Sequence, residues 1–185
     1  MSASPLVTVL LPVWNGASLP LTAEGEEPLR VAIRSLARQE AAPDAPVPGF
    51  EVLAVDDGST DGTAALLDAL AAEYPCLRVL HRPHEGLPGA LNAGLESARG
   101  ALIARMDADD VCHPQRLALQ AAWMAEHPET GLLATRVHFG GDRETARGFA
   151  HFVDWQNGLL DHEAISRNRF RDTPVSHPSV MFRRE

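Results

Sequence analysis

The sequence is poor in features that mark several classes of protein. Its 185 residues include two cysteines, Cys76 and Cys112, which are too few for a disulfide framework, so a reducing, cytoplasmic compartment is expected. Basic residues are also scarce, because 16 Lys and Arg stand against 25 Asp and Glu and the formal net charge is −9. A nucleic-acid-binding surface needs a basic footprint to displace counterions, so no nucleic-acid partner is expected.

The sequence also lacks long apolar runs. No stretch approaches the roughly 20 apolar residues that cross a bilayer, so no transmembrane segment is predicted. Residues 6–13 have neither the basic flank nor the cleavage site of a signal peptide. Peripheral binding at the inner face of a membrane stays open. With 45% apolar and 22% charged residues, the composition is that of a globular domain that needs no metal or disulfide for its core.

Short apolar segments alternate with longer segments of helical periodicity. Strands are predicted at 6–12, 50–55, 77–81, 102–106, 130–137 and 179–182. Helices are predicted at 29–39, 63–73, 88–98 and 114–126, the last with a proline in its first turn. This alternation predicts an α/β fold with a mostly parallel sheet and helices on both faces.

Three segments depart from the alternation. Residues 15–28 and 41–49 are predicted to be surface loops. Residues 138–171 are rich in Gly, Arg, His and aromatics, which indicates an appendage with a short helix around 155–167. We therefore expect an α/β core at 1–137 and an incomplete second part at 138–185. Because the chain stops directly after a predicted strand, a truncation at the C-terminus is expected.

Acidic clusters follow two of the predicted strands. The second strand leads into Asp56-Asp57-Gly58-Ser59 and the fourth into Asp107-Ala108-Asp109-Asp110. Parallel sheets bind ligands at the carboxyl ends of their strands, and carboxylates gathered there repel one another unless a cation or hydrogen-bond donors compensate. Oxygen-rich sites suit Mg²⁺ and Mn²⁺, so a divalent cation is predicted. The alternative is that the later acids cap the helix that follows.

Other side chains have two interpretations each. Ionised Asp57 only accepts hydrogen bonds and can read the N–H edge of a uracil or thymine ring, whereas Asp56 can be the buried, helix-capping member of the pair. Trp14 can stack on a base or pack at the strand end. Asn92 can donate to a ligand oxygen or lie on a helix surface, and His177 can be a ligand or a packed residue.

Three motifs, in this order, resemble glycosyltransferase family 2. They are VTVLLPVWN at 7–15, VDDGSTD at 55–61 and ARMDADD at 104–110, and SHPSVMFRR at 176–184 resembles the family's next block. The resemblance implies a GT-A fold and a nucleotide-sugar donor, with a UDP-sugar favoured. It also implies a sugar transfer with inversion to a glycan or lipid-linked acceptor, assisted by Mn²⁺ or Mg²⁺. Bacterial relatives commonly build cell-surface polysaccharides.

The resemblance also implies roles for individual residues. The donor would be bound by Pro12, Trp14, Asp57, Asn92 and Asp107, and the metal by Asp109 and His177. The family's general base, a carboxylate that deprotonates the acceptor, is expected beyond Glu185. This chain would therefore bind the donor and transfer little or no sugar.

One departure from the family and two alternative functions accompany the resemblance. Residues 87–89 lack a basic residue that some relatives carry, which leaves Arg82 or Arg105 to contact the diphosphate. A truncated nucleotide-binding domain without turnover is the first alternative. A haloacid-dehalogenase-like phosphatase is the second, because its nucleophile motif is also Asp-x-Asp. In that family the motif follows the first strand and has Thr two residues after the second Asp, whereas here the motif follows the fourth strand and Val111 takes the place of Thr.

Overall fold

A computed structural model describes residues 5–184 of the chain. The strands are β1 (Val7–Val13), β2 (Phe50–Asp57), β3 (Leu77–Arg82), β4 (Leu102–Arg105), β5 (Leu132–Ala134) and β6 (Val180–Arg183). The helices are α1 (Pro28–Ala37), α2 (Thr63–Glu73), α3 (Gly86–Ser97), α4 (Arg116–Glu126), α5 (Arg147–Asn157) and α6 (His162–Asn168). No helix within the described range is long and apolar enough to cross a membrane.

The strands form one sheet in the order β3-β2-β1-β4-β6-β5. β1 pairs in parallel with β2 and β4, and β2 pairs in parallel with β3. β6 is antiparallel to both β4 and β5, so the segment beyond residue 137 supplies an inner strand of the sheet. The predicted α/β fold with a mostly parallel sheet is confirmed.

Helices cover both faces of the sheet, as predicted. Alternate β1 side chains such as Val9 and Leu11 pack with α1, α2 and α4, whereas Leu10 faces α3. In α1 the buried residues recur at intervals of three and four: Leu29, Ala32, Ile33 and Leu36. Burial of each large aliphatic side chain contributes about 1.5–3 kcal/mol, so these stripes hold the helices on the sheet.

A buried polar network joins the strands at the amino edge of the sheet. The Glu51 carboxylate accepts hydrogen bonds from Thr8 Oγ1 at 2.8 Å, Arg78 Nε at 3.1 Å and the Arg99 amide at 3.0 Å. Burial alone would raise the pKa of Glu51, but these hydrogen bonds outweigh it and lower that pKa. The network therefore fixes the relative positions of β1, β2 and β3 far from the carboxyl edge.

Two local predictions are wrong. The helix expected at 155–167 is two helices, because α5 ends at Asn157, whose side chain bonds the Val137 backbone, and Asp161 starts α6 by accepting from the Ala164 amide at 2.8 Å. α4 begins at Arg116, beyond the proline expected in its first turn. The 41–49 segment is a surface loop as predicted, with two buried alanines that pack in a small apolar cluster on α4.

The sheet topology brings three strand ends to one edge. Within the parallel pairs, Val13 of β1 lies opposite Asp56 of β2, and Leu10 of β1 lies opposite Arg105 of β4. Neighbouring strands are about 4.8 Å apart, so β2 and β4 lie about 10 Å apart on either side of β1, and the loop after β4 begins about four residues, roughly 13 Å, nearer to the amino end of β1. Any site formed by the acidic clusters must lie across this carboxyl edge.

Candidate functional site

A cavity of about 160 Å³ opens at the carboxyl edge beside the ends of β1 and β2. Its lining residues come from the ends of these two strands, the loop after β3 and the start of α3: Pro12, Val13, Trp14, Asp57, His84, Gly86, Leu87 and Ala90. Three predicted donor-binding residues, Pro12, Trp14 and Asp57, therefore lie together. Apolar walls with a small number of polar groups are typical of pockets that bind small molecules.

An aromatic pair forms the rim of the cavity. Trp14 is 57% exposed, so it is not a core residue. Its ring is stacked on the imidazole of His84, with ring centroids 5.0 Å apart and planes inclined by 26°. The accessible faces of this pair can stack on a nucleobase, since every base presents a π-face.

Asp57 is buried and anchors the start of α3. Its Oδ1 accepts from the Glu85 amide at 2.8 Å and its Oδ2 from the Gly86 amide at 2.9 Å. The Nδ1 atom of His84 lies 2.8 Å from Oδ2 and 2.9 Å from the carbonyl oxygen of Asp57. Because both neighbours are acceptors, this nitrogen carries the ring proton. Oδ2 is thus occupied by two donors, whereas Oδ1 accepts from the Glu85 amide and has a second lone pair with which to accept from a ligand.

A glycine permits the close approach of these two segments. Gly58 follows Asp57 with a φ of +67°, in the left-handed region that favours glycine. A Cβ atom added at this position would lie 2.6 Å from the backbone nitrogen of His84. The geometry of the cavity therefore depends on the absence of a side chain at residue 58.

Asp56 is the buried member of the pair, as predicted, but it caps a turn and not a helix, since α2 begins later, after Gly62. It is 3% exposed and accepts from the Ser59 amide at 3.1 Å, which closes the turn after β2. Nδ1 of His81 lies 2.9 Å from its other oxygen, and Nε2 of the same ring lies 3.2 Å from Asp68. Hydrogen bonds with Asp56 and Asp68 raise the pKa of His81. Asp56 thus holds the loop in place while Asp57 faces the cavity.

The second acidic cluster forms a turn directly after β4. The Asp110 amide donates to the carbonyl of Asp107 at 3.3 Å, and Asp107 forms an ion pair with the buried Arg105. Asp109 is exposed. Burial, together with the charges of Asp107 and Asp109, raises the pKa of Asp110 to about 6. The turn therefore concentrates the negative charge that the sequence predicted.

The alternative role of this turn, as the cap of α4, is wrong. α4 begins at Arg116 and the residue before it is Gln115, which makes no side-chain capping hydrogen bond. The acids end five residues earlier in the chain. Their position is thus not explained by helix capping.

The acidic turn offers carboxylate oxygens, the kind of ligand that Mg²⁺ and Mn²⁺ take. Within residues 5–184 no group of three or more His, Cys, Asp or Glu side chains is placed to hold a metal ion. Mg²⁺ usually takes one or two protein carboxylates together with substrate phosphates, and Asp107 and Asp109 provide that number. His177 is exposed at the start of the 3₁₀ turn His177–Ser179, just before β6, and is not gathered with these acids.

Other predicted residues lie outside the cavity. Asn92 is exposed on α3, two residues beyond Ala90, and because a helix turns 100° per residue it points away from the cavity-lining side. Of the two arginines considered for the diphosphate, Arg82 pairs with Glu85 at 3.0 Å and Arg105 pairs with an acid of the turn. The general base expected beyond Glu185 lies outside the described residues.

His84 is the site residue that the sequence did not indicate. It belongs to no motif and stands two residues after β3, in a loop. The only available signal was that this loop leaves the carboxyl edge of a predicted strand next to β2. Its contacts with Trp14 and Asp57 join residues far apart in sequence, and a pattern of local periodicity does not contain them.

Comparisons with known proteins agree with this geometry. The model of the family described as Glycosyl transferase family 2 matches residues 8–185. The chain belongs to glycosyltransferase family 2. The amylovoran biosynthesis glycosyltransferase AmsE of Erwinia amylovora is 32% identical over 97% of this chain and 60% of its own length. This membership leaves the phosphatase alternative without support.

Solved structures give the fold the same assignment. S. aureus TarS 1–349 in complex with UDP is 25% identical, with a TM-score of 0.58 over 74% of this chain and 37% of that one. A mannosyltransferase from Pyrobaculum calidifontis, in complex with GDP-Man and Mn²⁺, is 22% identical, with a TM-score of 0.63 over 98% of this chain and 45% of that one. The fold of the glycosyltransferase family 2 chain is therefore GT-A. The chain spans 16% to 60% of the lengths of three curated relatives that it matches.

Proposed function

We propose that this family 2 chain binds a UDP-sugar, with the uracil ring in the cavity beside β1 and β2. The exposed faces of Trp14 and His84 would stack on the base, and the free lone pair on the Asp57 carboxylate would accept its N3–H. Cytosine has an acceptor at the same ring position and would be repelled. Support for a UDP-linked donor comes also from TarS, whose structures hold UDP and UDP-GlcNAc.

The diphosphate would extend from the cavity across the end of β1 to the acidic turn. Asp109 is exposed and would hold Mn²⁺ or Mg²⁺ against the phosphate oxygens, while Arg105 keeps Asp107 in position beside it. A bound cation supplies charge neutralisation for the departing nucleoside diphosphate. The sugar would then be transferred with inversion to a glycan or lipid-linked acceptor.

One observation carries this proposal. The cavity lies over the ends of β1 and β2, and the acidic turn follows β4, the strand on the other side of β1, at the same edge of the sheet. A base pocket and a cation site on neighbouring strand ends suit the two ends of one nucleoside diphosphate.

Isothermal titration with UDP tests the proposal. We expect binding that is stronger with Mn²⁺, weaker for CDP, and at least tenfold weaker with Mn²⁺ in Asp109→Ala. Glu126→Ala is the matched control, because it also removes one exposed carboxylate, at the end of α4. Absence of UDP binding, or equal Mn²⁺ dependence in both variants, would contradict the proposal.

Turnover separates an enzyme from the alternative of a nucleotide-binding domain without catalysis. Release of UDP from UDP-sugars, measured for residues 1–185 with an acceptor mixture, is expected to be absent or very slow. Rapid transfer by this chain would contradict the prediction that the general base lies beyond Glu185. UDP binding would still support the donor site.

A further inference from the structure

A second concavity, of about 320 Å³, lies in the part of the chain beyond residue 137. We call it the α5 groove, and its lining residues are Gly148, His151, Phe152, Trp155, Arg171 and Asp172. The first four recur at helical spacing and form one face of α5. The opposite face is buried through Ala150 and Val153, so this groove is on the outward side of the helix.

Both walls of the groove are held by hydrogen bonds. On α5, the side chain of Gln156 donates to the carbonyl of Thr173 at 2.9 Å, which ties the helix to the segment that carries Arg171 and Asp172. The Asn157 side chain accepts from the Val137 amide at 2.9 Å and donates to its carbonyl at 2.7 Å. The groove is thus formed before any ligand binds, which lowers the cost of binding.

The groove combines flat apolar surface with charged groups. The rings of Phe152 and Trp155 have centroids 5.6 Å apart, and the guanidinium carbon of Arg171 lies 5.4 Å from the Trp155 ring centroid. Among the ion pairs of the described residues, none involves Arg171 or Asp172, so the guanidinium donors and a carboxylate oxygen are open to a ligand. Phe149, 58% exposed, continues the row of rings along α5.

These groups complement a pyranose sugar. One face of such a ring is made of C–H groups and packs on an aromatic ring, whereas its neighbouring hydroxyls each donate and accept hydrogen bonds. A guanidinium that only donates and a carboxylate that only accepts, at adjacent positions, match a pair of vicinal hydroxyls. We infer that the α5 groove binds one pyranose ring of the acceptor saccharide, an inference that rests on the proposed glycosyltransferase function.

The topology places this groove at the edge that carries the donor site. Because β6 is antiparallel to β4, Val180 at its start lies where β4 ends and the acidic turn begins. Ala134, at the end of β5, is paired with Val180. The segments that build the groove leave from these two points, and the Trp155 end of α5 is tied to Val137 only three residues beyond β5. An acceptor in the groove thus lies on the donor side of the sheet.

Two glycine substitutions provide a matched test. Gly148 has no atom within 4 Å of an added Cβ, so Gly148→Leu fills the groove without a clash in the first turn of α5. Gly131→Leu is the control, because its added side chain also meets open space, before β5 and outside the groove. Trp155→Phe assigns the indole N–H signal of Trp155 in NMR spectra.

The experiment is an NMR titration of isotope-labelled protein with methyl glycosides of glucose, galactose, mannose and N-acetylglucosamine, followed by UDP with the diamagnetic ion Mg²⁺. We expect one or more glycosides to shift the Trp155 indole signal with a dissociation constant on the order of millimolar, at least tenfold weaker in Gly148→Leu and unchanged in Gly131→Leu. No shift in the unmodified chain, or a shift that persists in Gly148→Leu, overturns the inference. UDP binding without glycoside binding refutes the groove alone, whereas glycoside binding without UDP binding refutes the proposed donor site and with it the acceptor role.

Discussion

The substitution Asp57→Asn tests whether this carboxylate organises the cavity or only contacts a ligand. The carboxylate accepts two backbone amides at the start of α3 and faces the ring nitrogen of His84. An Asn side chain has one acceptor oxygen, so its NH₂ group must face one of the backbone amides that Asp57 accepts. The hydrogen bonds that remain are then made to a neutral group and not to a charged one. A hydrogen bond to a charged group contributes about 1.5–3 kcal/mol, and losing one while weakening the others costs about 3 kcal/mol.

Thermal unfolding followed by circular dichroism measures this loss. For a chain of this length 1 kcal/mol corresponds to about 2–4 °C, so we expect the Tm of Asp57→Asn to fall by about 6–12 °C. Asp109→Asn makes the same chemical change at an exposed acid of the acidic turn, and its Tm should stay the same or rise slightly as like-charge repulsion falls. An unchanged Tm in Asp57→Asn would refute the assignment of Asp57 as the anchor of α3.

Three further predictions concern stability. Glu51→Gln should lower the free energy of unfolding, measured in urea, by about 1.5–3 kcal/mol. Because the native pKa of Glu51 is lowered from 4.5, its carboxylate stabilises the fold above pH 4.5, and this stabilisation is lost as the pH falls from 4.5 through the native pKa. The variant should therefore lose less stability on acidification below pH 4.5 than the unmodified chain. Because the pKa of His81 is raised above 6.5, its contribution to folding stability is fully present below pH 6.5 and is lost as the pH rises above that value. His81→Asn should therefore flatten the decline of Tm above pH 6.5, and an unchanged slope would contradict this. Gly58→Ala should lower the free energy of unfolding by roughly 2 kcal/mol or more beyond the effect of Gly25→Ala. Both glycines have a positive φ, but only at residue 58 would a Cβ atom meet the backbone of His84. Equal losses of stability in the two variants would show that the close approach is unimportant.

The sequence predicted the features that depend on local pattern. Apolar runs located the strands, helical spacing located α1 to α4, and the acids after β2 and β4 marked the edge that carries the site. It could not identify the partners that fix Asp56 and Asp57, because these partners, His81 and the amides at the start of α3, lie about 25 to 29 residues further along the chain.

The features that the sequence missed depend on tertiary contacts. The break between α5 and α6 follows from hydrogen bonds of Asn157 to Val137 and from the cap at Asp161, not from a change in apolar periodicity. Likewise His84 acquires its place only when β2 and β3 pair and the loop after β3 comes against Gly58. Short-range patterns do not encode such approaches.

The most direct test of the central claim compares uridine with UDP, since the claim is that the cavity and the acidic turn bind two ends of one molecule. Uridine, which has no phosphate, should bind independently of Mn²⁺ and of Asp109→Ala, and Trp14→Ala should weaken it by about 1–3 kcal/mol, the usual contribution of one base–aromatic stack. UDP should bind more tightly than uridine only when Mn²⁺ and Asp109 are both present. If Mn²⁺ and Asp109→Ala affect uridine and UDP equally, or if Trp14→Ala affects neither, the two features do not form one donor site.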